Sequence, residues 1–328
     1  MVQRILSVAD SHARGAVTVA DLFAGTGAVA TAFKAGGYGV TANDLLYFSY
    51  VLNKGTLEMY RQPTAQMLEL IDHLNHLTPT SSHADLDRCF VYQNYAPHEG
   101  CKRMYFQPDN ALKIDLIRQE TERLRGELTE AEYFYLLACL LSAVPYVANI
   151  TGTFAAYLKF WDKRTYNPLL LKPLGIVESQ RPCRATNCDA KDLARQLKAD
   201  VAYLDPPYNQ RQYLPNYHLL ETIALYDRPA LKGITGVRAD DTKQSDFCRR
   251  GRVADAFRQM LASVQCRYIL VSYNNEGLLS TEELSAIIKE CGRSSTFRLY
   301  EYDQRRYKNK IPNNRSGLKE QLYFIEKC

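Results

Sequence analysis

The sequence has 328 residues, of which 46% are hydrophobic and 23% are charged. This balance indicates a globular protein with one large core or two modest ones, and it excludes a disordered or collagen-like polymer. The formal net charge of +5 is too small to identify a binding partner. Its distribution is more informative, because residues 231–328 contain 18 Lys and Arg against 12 Asp and Glu.

Nine cysteines are scattered along the chain, and none forms a Cys-x-x-Cys pair. Cys183 and Cys188 are the closest two, with no histidine at zinc-ligand spacing, so we expect no metal site. The odd number of cysteines indicates reduced thiols in a cytosol, and no secretion signal opens the chain. Residues 133–150 carry no charge, but Pro145 and Asn149 interrupt them. This stretch predicts a buried helix, and we expect no membrane association.

The first 50 residues predict alternating helices and strands. Residues 3–13 are predicted as a helix, 17–20 as a strand, 28–35 as a helix that ends at Gly36-Gly37, and 38–42 as a second strand. Strand, glycine turn, helix and strand form a βαβ unit, which is typical of a parallel sheet. From about residue 55 to residue 171 the pattern changes to helices and loops, and residues 120–141 form the clearest predicted helix.

The α/β pattern resumes at Arg184. We predict strands at 200–204, 268–273, 296–302 and 321–326, and helices at 216–225, 245–263 (with Ser245 as N-cap) and 281–291. The insertion between the two halves of the sheet is too long for an ordinary loop. We therefore predict that residues 1–55 and 175–328 form an α/β domain and that residues 56–174 form an inserted, mainly helical subdomain facing the substrate.

A glycine turn follows the first predicted strand, in Asp21-Leu22-Phe23-Ala24-Gly25-Thr26-Gly27. Residues 25–30 match G-x-G-x-x-G/A, and Asp44 follows 19 residues after Gly25, as in a dinucleotide-binding fold. However, the carboxylate of Asp21 would repel a pyrophosphate and attract an amine. The turn therefore favours S-adenosylmethionine, which carries an amino group and a sulfonium, over a dinucleotide.

A second motif, Asp205-Pro206-Pro207-Tyr208, follows the strand predicted at residues 200–204. Ligands of open α/β sheets bind at the carboxyl ends of the strands. The prolines remove two N–H donors and leave carbonyl oxygens that can accept hydrogen bonds from an amino group, while the tyrosine can stack on a flat ring. This arrangement suits methylation of an exocyclic amine, whose two hydrogens would be held by Asp205 and the Pro206 carbonyl.

Together, the two motifs resemble those of the N6-adenine DNA methyltransferases. The order of cofactor motif, inserted recognition domain and catalytic motif is similar to the alpha group, which includes Dam. Three further segments resemble the FokI-type and NlaIII-type modification methylases: residues 209–221, residues 151–159 and the strand that ends at Ser272-Tyr273-Asn274. The resemblance covers most of the chain and implies a Rossmann-like class I S-adenosylmethionine-dependent methyltransferase sheet with a target-recognition subdomain.

The resemblance also implies roles for individual residues. Those expected to line the cofactor are Asp21, Phe23, Gly25, Thr26 and Gly27, with Asp44 at the ribose and Asp189 at the adenine ring. Those expected to hold a flipped target adenine are Asp205, Pro206 and Tyr208. The start of the chain departs from the family pattern, because members usually carry a Lys/Gly-rich segment ahead of the first helix and this sequence begins Met1-Val2-Gln3-Arg4. Either the start is truncated or cofactor binding is weakened.

Double-stranded DNA as the substrate requires base flipping and basic contacts to the backbone. Six basic residues and no acid lie between residues 304 and 319. The predicted DNA-binding residues are Tyr157, Lys159, Arg211, Arg238, Lys243, Arg305, Arg306 and Lys308. A second basic group, which includes Arg249, Arg250 and Arg252, is also typical of an ordinary solvated helix face.

Three functions remain open from the sequence. The first is a site-specific DNA adenine methyltransferase in the modification half of a restriction–modification system, a monomer in the bacterial cytosol near the nucleoid that is functionally paired with a restriction endonuclease. The second is methylation of RNA or of a protein amide, since Pro-Pro-Tyr also serves those amines. The third is a DNA-binding relative with impaired cofactor binding, which the intact set of Asp21, Asp44, Asp189 and Asp205 disfavours.

Overall fold

The computed structural model describes residues 1–78, 86–239, 244–303 and 317–328. The chain divides into two units, each built from separate stretches of sequence. The first unit comprises Met1–Leu45, Ser179–Gln212 and Gln244–Cys328, and the second comprises Leu46–Glu178 and Tyr213–Lys243. The second unit thus contains residues 213–243, which the sequence analysis assigned to the α/β domain.

Nine strands form in the described residues. In chain order they are β1 (Thr18–Asp21), β2 (Gly39–Asn43), β3 (Arg184–Thr186), β4 (Val201–Leu204), β5 (Leu231–Lys232), β6 (Val237–Arg238), β7 (Tyr268–Asn274), β8 (Arg298–Asp303) and β9 (Lys319–Glu326).

Eleven α-helices form in the same part of the chain. They are α1 (Val2–His12), α2 (Ala28–Ala35), α3 (Tyr47–Leu57), α4 (Ala65–His76), α5 (Phe90–Tyr95), α6 (Pro108–Arg123), α7 (Glu130–Ala143), α8 (Ala190–Gln196), α9 (Tyr213–Leu225), α10 (Val253–Ser263) and α11 (Thr281–Glu290).

The first unit is built on a seven-stranded sheet with the order β3-β2-β1-β4-β7-β9-β8. Strands β1, β2, β3, β4 and β7 are parallel, and β9 runs antiparallel to both β7 and β8. This topology confirms the predicted Rossmann-like α/β sheet. Strand order reverses between β1 and β4, and such a switch point is where open α/β sheets bind their ligands.

Apolar side chains cover both faces of this sheet. Alternate strand residues such as Ala20 and Val271 pack against Phe257 of α10 and Ile287 of α11. On the other face, α1 and α2 bury Ile5, Val8 and Phe33. Burial of a side chain of this size contributes about 1.5–3 kcal/mol, so the two apolar layers hold the strand ends in register.

The second unit packs its helices around α7, in which Tyr133–Leu141 are buried. Helix α3 crosses α7 so closely that a Cβ on Gly55 would lie 2.5 Å from the Phe134 carbonyl oxygen. A buried carboxylate, Glu221 of α9, accepts hydrogen bonds from the Tyr47 and Phe48 amides at 3.1 and 2.9 Å and caps the N-terminus of α3. The predicted buried helix in residues 133–150 is confirmed up to Ala143. Among the described residues, no helix has the length and apolar character needed to span a membrane.

Two predicted helices are wrong in extent. Residues 120–141 do not form one helix, because α6 ends at Arg123 and α7 begins after Thr129, whose side chain and that of Glu132 form a reciprocal capping box. Residues 245–263 do not form one helix either. Ser245 caps only the 3₁₀ turn Asp246–Cys248, and α10 begins at Val253, beyond Gly251. The polar, turn-rich sequence of residues 78–110 favours loops, but the described part of it contains α5 and the start of α6.

Candidate active site

Five acidic residues lie along the edge at which the parallel strands of the first unit end. Asp21 is the last residue of β1, and Glu320 of β9 pairs with Asn274 at the end of β7. In the spatial order of the strands the acids are Asp189, Asp44, Asp21, Asp205 and Glu320. The edge therefore concentrates negative charge, which suits a cationic ligand.

Asp21 is the most deeply buried of these acids, with 1% of its surface exposed. Neither carboxylate oxygen has a hydrogen-bond partner among the described residues. Burial and then the charge of Asp205 raise the pKa of Asp21 well above its ordinary value, while the nearby backbone of Phe23 lowers it by less than these two and by more than Asp44 raises it. A buried, unpartnered carboxylate lowers stability, and such groups are concentrated at functional sites.

The glycine turn after β1 leaves open space beside its backbone. Gly25 has φ +53° and Gly27 has φ +84°, so both adopt the left-handed conformation that disfavours other residues. The Gly25 amide donates to Asp44 Oδ2 at 2.9 Å. A Cβ built on Gly25 would meet nothing within 4 Å. Asp44 therefore fixes the turn in a shape that lets a ligand approach the backbone.

The other predicted cofactor residues are placed by local structure. Asp189 is the N-cap of α8 and accepts a hydrogen bond from the Lys191 amide at 2.8 Å. The half-buried ring of Phe23 packs edge-on against Phe247, with centroids 5.2 Å apart. Thr26 is exposed at the tip of the glycine turn. All lie in the first unit, together with the catalytic motif.

Asp205 follows β4 directly, and the two prolines after it are buried. The Asp205 side chain reaches solvent although protein atoms surround it, as expected at the floor of a concave site. Desolvation by these surroundings and, to a smaller extent, the charge of Glu320 raise the pKa of Asp205 to about 7, although Tyr203 acts in the opposite direction. Tyr208 is 39% exposed, and its carbonyl oxygen accepts from the Leu278 amide at 3.0 Å.

Sequence analysis missed two residues, Tyr203 and Glu320, that adjoin these carboxylates. Tyr203 lies on the same face of β4 as Asp205, and its buried hydroxyl donates to Ser272 Oγ at 2.9 Å. The charges of Asp205 and Asp21 raise the pKa of Tyr203, in addition to the larger effect of burial. The two-residue period of a strand could have identified Tyr203. The position of Glu320 depends on the pairing of β9 with β7, for which the sequence carried no signal.

The predicted DNA-binding residues fall into three groups. Arg211 in the first unit and Lys159 in the second are exposed, and the half-buried Tyr157 packs against Tyr105 with ring centroids 5.0 Å apart. Arg238 is only 2% exposed and forms two hydrogen bonds to the carboxylate of Asp227, at 2.8 and 2.6 Å. The remaining four, Lys243, Arg305, Arg306 and Lys308, lie outside the described residues.

Exposed aromatic residues near Lys159 were also missed. Phe160 is 66% exposed, and Tyr166 is 68% exposed. The buried side chain of Asn149 holds the loop that carries Phe160, by donating to the carbonyl oxygens of Leu158 and Phe160 at 3.0 and 3.1 Å. The alternation of aromatic and basic residues from 157 to 166 was the available signal.

The cysteines and the acidic residues offer no metal centre in the residues that the structure describes. None of the nine cysteines, all of which lie in the described residues, forms a disulfide bond. No group of three or more His, Cys, Asp or Glu side chains in the described chain is arranged to hold a metal ion.

Residues 1–287 match the family model of the D12 class N6 adenine-specific DNA methyltransferases. The chain is 42% identical over 311 residues to the type II methyltransferase M.FokI of Planomicrobium okeanokoites, covering 94% of this chain and 48% of that protein. It is 36% identical over 330 residues to the modification methylase StsI of Streptococcus sanguinis, covering 100% of this chain and 50% of that protein.

A third relative matches this chain over most of both lengths. The type II methyltransferase M.NlaIII of Neisseria lactamica is 36% identical over 313 residues, which cover 94% of this chain and 90% of that protein. The chain spans about half the length of M.FokI and StsI. These matches confirm the resemblance inferred from the glycine turn and from Asp205-Pro206-Pro207-Tyr208. The chain belongs to the D12 class of N6 adenine-specific DNA methyltransferases.

Proposed function

We propose that this chain transfers a methyl group from S-adenosylmethionine to the exocyclic amine of an adenine flipped out of duplex DNA, as the modification enzyme of a restriction–modification system. The observation that carries the proposal is the pair of carboxylates at the β1–β4 switch point, the orphaned Asp21 and the accessible Asp205. One suits a cation and the other suits an amine donor. The family to which the chain belongs supports the choice of adenine and DNA.

The residues present fit the methyl donor. Asp21 has two buried oxygens without partners among the described residues, and an ammonium group would satisfy them. Open space beside Gly25 admits a ligand to the backbone, and Asp44 and Asp189 follow the next two strands along the edge. We assign Asp21, Phe23, Gly25, Thr26, Gly27, Asp44 and Asp189 to cofactor binding. When bound, S-adenosylmethionine supplies an electrophilic methyl group on a positively charged sulfur.

Asp205 and Pro206 hold the target amine in this proposal. The lone pair of an exocyclic amine is conjugated into the base, so the amine is a weak nucleophile. If the Asp205 carboxylate and the Pro206 carbonyl accept its two hydrogens, the nitrogen becomes more pyramidal and its lone pair turns outward. Tyr208, which is 39% exposed, can stack on the adenine ring. Positioning and charge complementarity then lower the barrier.

The ionisation of Asp205 controls this step. The ionised carboxylate is the stronger acceptor of the amine hydrogen, and only this form can take up the proton that the nitrogen loses when its bond to the methyl group forms and the sulfur leaves. Because the pKa of Asp205 is raised to about 7, an appreciable fraction of the free protein carries the protonated form at neutral pH. A cation bound beside Asp21 would favour the ionised form of both carboxylates.

We propose that the second unit reads the DNA sequence. Its exposed Lys159, Phe160 and Tyr166 combine positive charge with aromatic faces, the pattern that binds nucleic acid. In the first unit, Arg211 is exposed three residues after Tyr208 and suits a phosphate contact. Arg238, which is buried and paired with the half-exposed Asp227, is a structural residue in this proposal instead. The partners proposed are double-stranded DNA and, functionally, a restriction endonuclease of the same specificity.

The test is methyl transfer from labelled S-adenosylmethionine to duplex DNA, RNA and a protein mixture in parallel. We expect incorporation into DNA alone, and sequencing sensitive to modified adenine should find one short sequence. Asp205→Ala should abolish transfer while S-adenosylmethionine binding, measured by calorimetry, stays within about threefold of wild type. Asp255→Ala, an exposed acid on α10, is the matched control and should retain activity. Label in RNA or protein but not in DNA would refute the proposal.

A further inference from the structure

The hairpin formed by β5 and β6 in the second unit carries an apolar side chain at its tip. Lys232 pairs with Val237, and the four residues between them form the turn. Ile234 in this turn is 83% exposed, the highest value for a large hydrophobic side chain among the described residues. Single exposed apolar side chains are common on protein surfaces, so the place of Ile234 at the tip of a hairpin, and not its exposure alone, makes it a candidate for a surface contact.

Two side chains from outside the hairpin, the half-buried Arg103 and the buried Tyr95, hydrogen-bond to the backbone of the turn. Arg103 donates to the carbonyl oxygens of Ile234 and Gly233 at 2.9 and 3.2 Å, and to that of Asn94 at 3.1 Å. The buried hydroxyl of Tyr95 donates to the Gly236 carbonyl at 3.0 Å. The backbone of the turn is therefore fixed by side chains from outside the hairpin. A contact made through a fixed backbone loses little conformational entropy on binding.

The charge around the tip is positive. Between residues 227 and 238 the only acid is Asp227, which pairs with the buried Arg238. Arg228 and Lys232 are exposed, and Arg103 adds a third positive charge against the turn. The basic side chains beside the hairpin could contact the phosphates on either side of a DNA groove, and the apolar tip could contact the base edges inside it.

We propose that the β5–β6 hairpin enters the major groove of the DNA substrate as a two-stranded ribbon, and that Ile234 packs on the methyl group of a thymine in the target sequence. The major groove is wide enough for a β-ribbon, and the thymine methyl group is its main apolar feature. Every adenine target lies opposite a thymine, so each site presents such a methyl group. This inference rests on the proposed DNA substrate and assigns a residue to sequence readout.

The experiment compares two forms of one DNA. A plasmid fragment is amplified with either thymidine or deoxyuridine triphosphate, so that the second product lacks every thymine methyl group. Methyl transfer to each fragment is measured with wild-type protein, Ile234→Ala and Leu68→Ala. Leu68 is a matched control, because it is 43% exposed in the same unit on α4, beside the acidic residues Glu69 and Asp72.

For the wild type we expect kcat/KM to fall about fourfold on the uracil fragment, the effect of losing one buried methyl group. Ile234→Ala should lower kcat/KM on the thymine fragment by a similar factor and show no difference between the two fragments. Leu68→Ala should keep the wild-type ratio. Equal melting temperatures of the three proteins would exclude misfolding, which the exposure of both side chains makes improbable.

Two results would overturn the inference while leaving the proposed function intact. One is an Ile234→Ala variant that keeps the wild-type preference for thymine. The other is an Ile234→Ala variant that is as active as the wild type on the thymine fragment, which would show that the hairpin tip does not contact the DNA. Absence of methyl transfer by the wild type to the thymine fragment would instead refute the proposed function itself.

Discussion

Asp21→Asn separates the stability of the protein from its function. The substitution keeps the shape of the side chain and removes a charge that has no partner among the described residues. Because folding raises the pKa of Asp21, the folded protein retains a proton that the unfolded chain releases above about pH 4. The wild type therefore loses stability as pH rises from that value towards the folded-state pKa. Asn at this position does not titrate, so the variant avoids the loss.

The burial of Asp21 sets the size of two effects of Asp21→Asn, one on the stability of the protein and one on S-adenosylmethionine binding. Each unit by which folding raises the pKa of Asp21 costs the wild type about 1.4 kcal/mol once the unfolded chain is ionised, and the Asn amide carries no such cost, so without ligand the advantage of Asp21→Asn over the wild type should be larger at pH 8 than at pH 5. A lost charge-assisted hydrogen bond, about 1.5–3 kcal/mol, should weaken S-adenosylmethionine binding roughly 10- to 150-fold. At a ligand concentration of 100 wild-type Kd, binding stabilises the wild type by about 2.7 kcal/mol and should stabilise the variant by about 0.3–1.4 kcal/mol.

Urea unfolding at pH 5 and pH 8, with and without S-adenosylmethionine, measures the stability difference between variant and wild type at each pH and the stabilisation of each protein by the ligand. Asp255→Asn is the matched control, because that carboxylate is 73% exposed and should show neither effect. The reasoning fails if Asp21→Asn is less stable than the wild type at pH 8 without ligand. It also fails if the ligand stabilises the variant as much as it does the wild type.

Three further predictions concern groups in both units. Because Asp205 acts ionised and its pKa is about 7, kcat/KM for methyl transfer should rise about tenfold per pH unit below pH 7 and level off above it; a flat profile from pH 5 to pH 8 would contradict this. Arg238→Met, which removes two charge-assisted hydrogen bonds to the half-exposed Asp227 carboxylate, should lower the free energy of unfolding in urea by about 1.5–3 kcal/mol and leave the salt dependence of DNA binding unchanged. Asp115→Ala should lower the free energy of unfolding by at least about 1–3 kcal/mol, since Asp115 accepts from the Val91 and Tyr92 amides and the Tyr226 hydroxyl.

The sheet and its ligand edge were predictable because their signals are local. The helix at 28–35 follows from the glycines on either side of it, and Asp21 and Asp205 follow directly after apolar strands. A helix boundary was missed where the signal was present, at Thr129 and Glu132, whose capping box marks the start of α7. Periodicity alone does not report such a break.

Long-range pairing accounts for what the sequence could not show. Glu320 influences Asp205 only because β9 inserts between β7 and β8. Arg238 has the composition of a DNA contact, and its burial depends on Asp227, which sequence spacing did not connect to it. Likewise, residues 213–243 belong to the second unit because α9 packs there, although they follow the catalytic motif in the chain.

The capping of α3 by Glu221 has a consequence for how the protein is synthesised. The amides at the start of α3 leave the ribosome 173 and 174 residues before the carboxylate that satisfies them. Contacts at such separation slow folding, since a long loop must close before the contact forms. A chain that stops before residue 221 contains most of the second unit but lacks Glu221, which caps the first helix of that unit, α3. We therefore expect the second unit to complete its folding only after α9 has been translated, when residues 205–208 of the first unit have already been made.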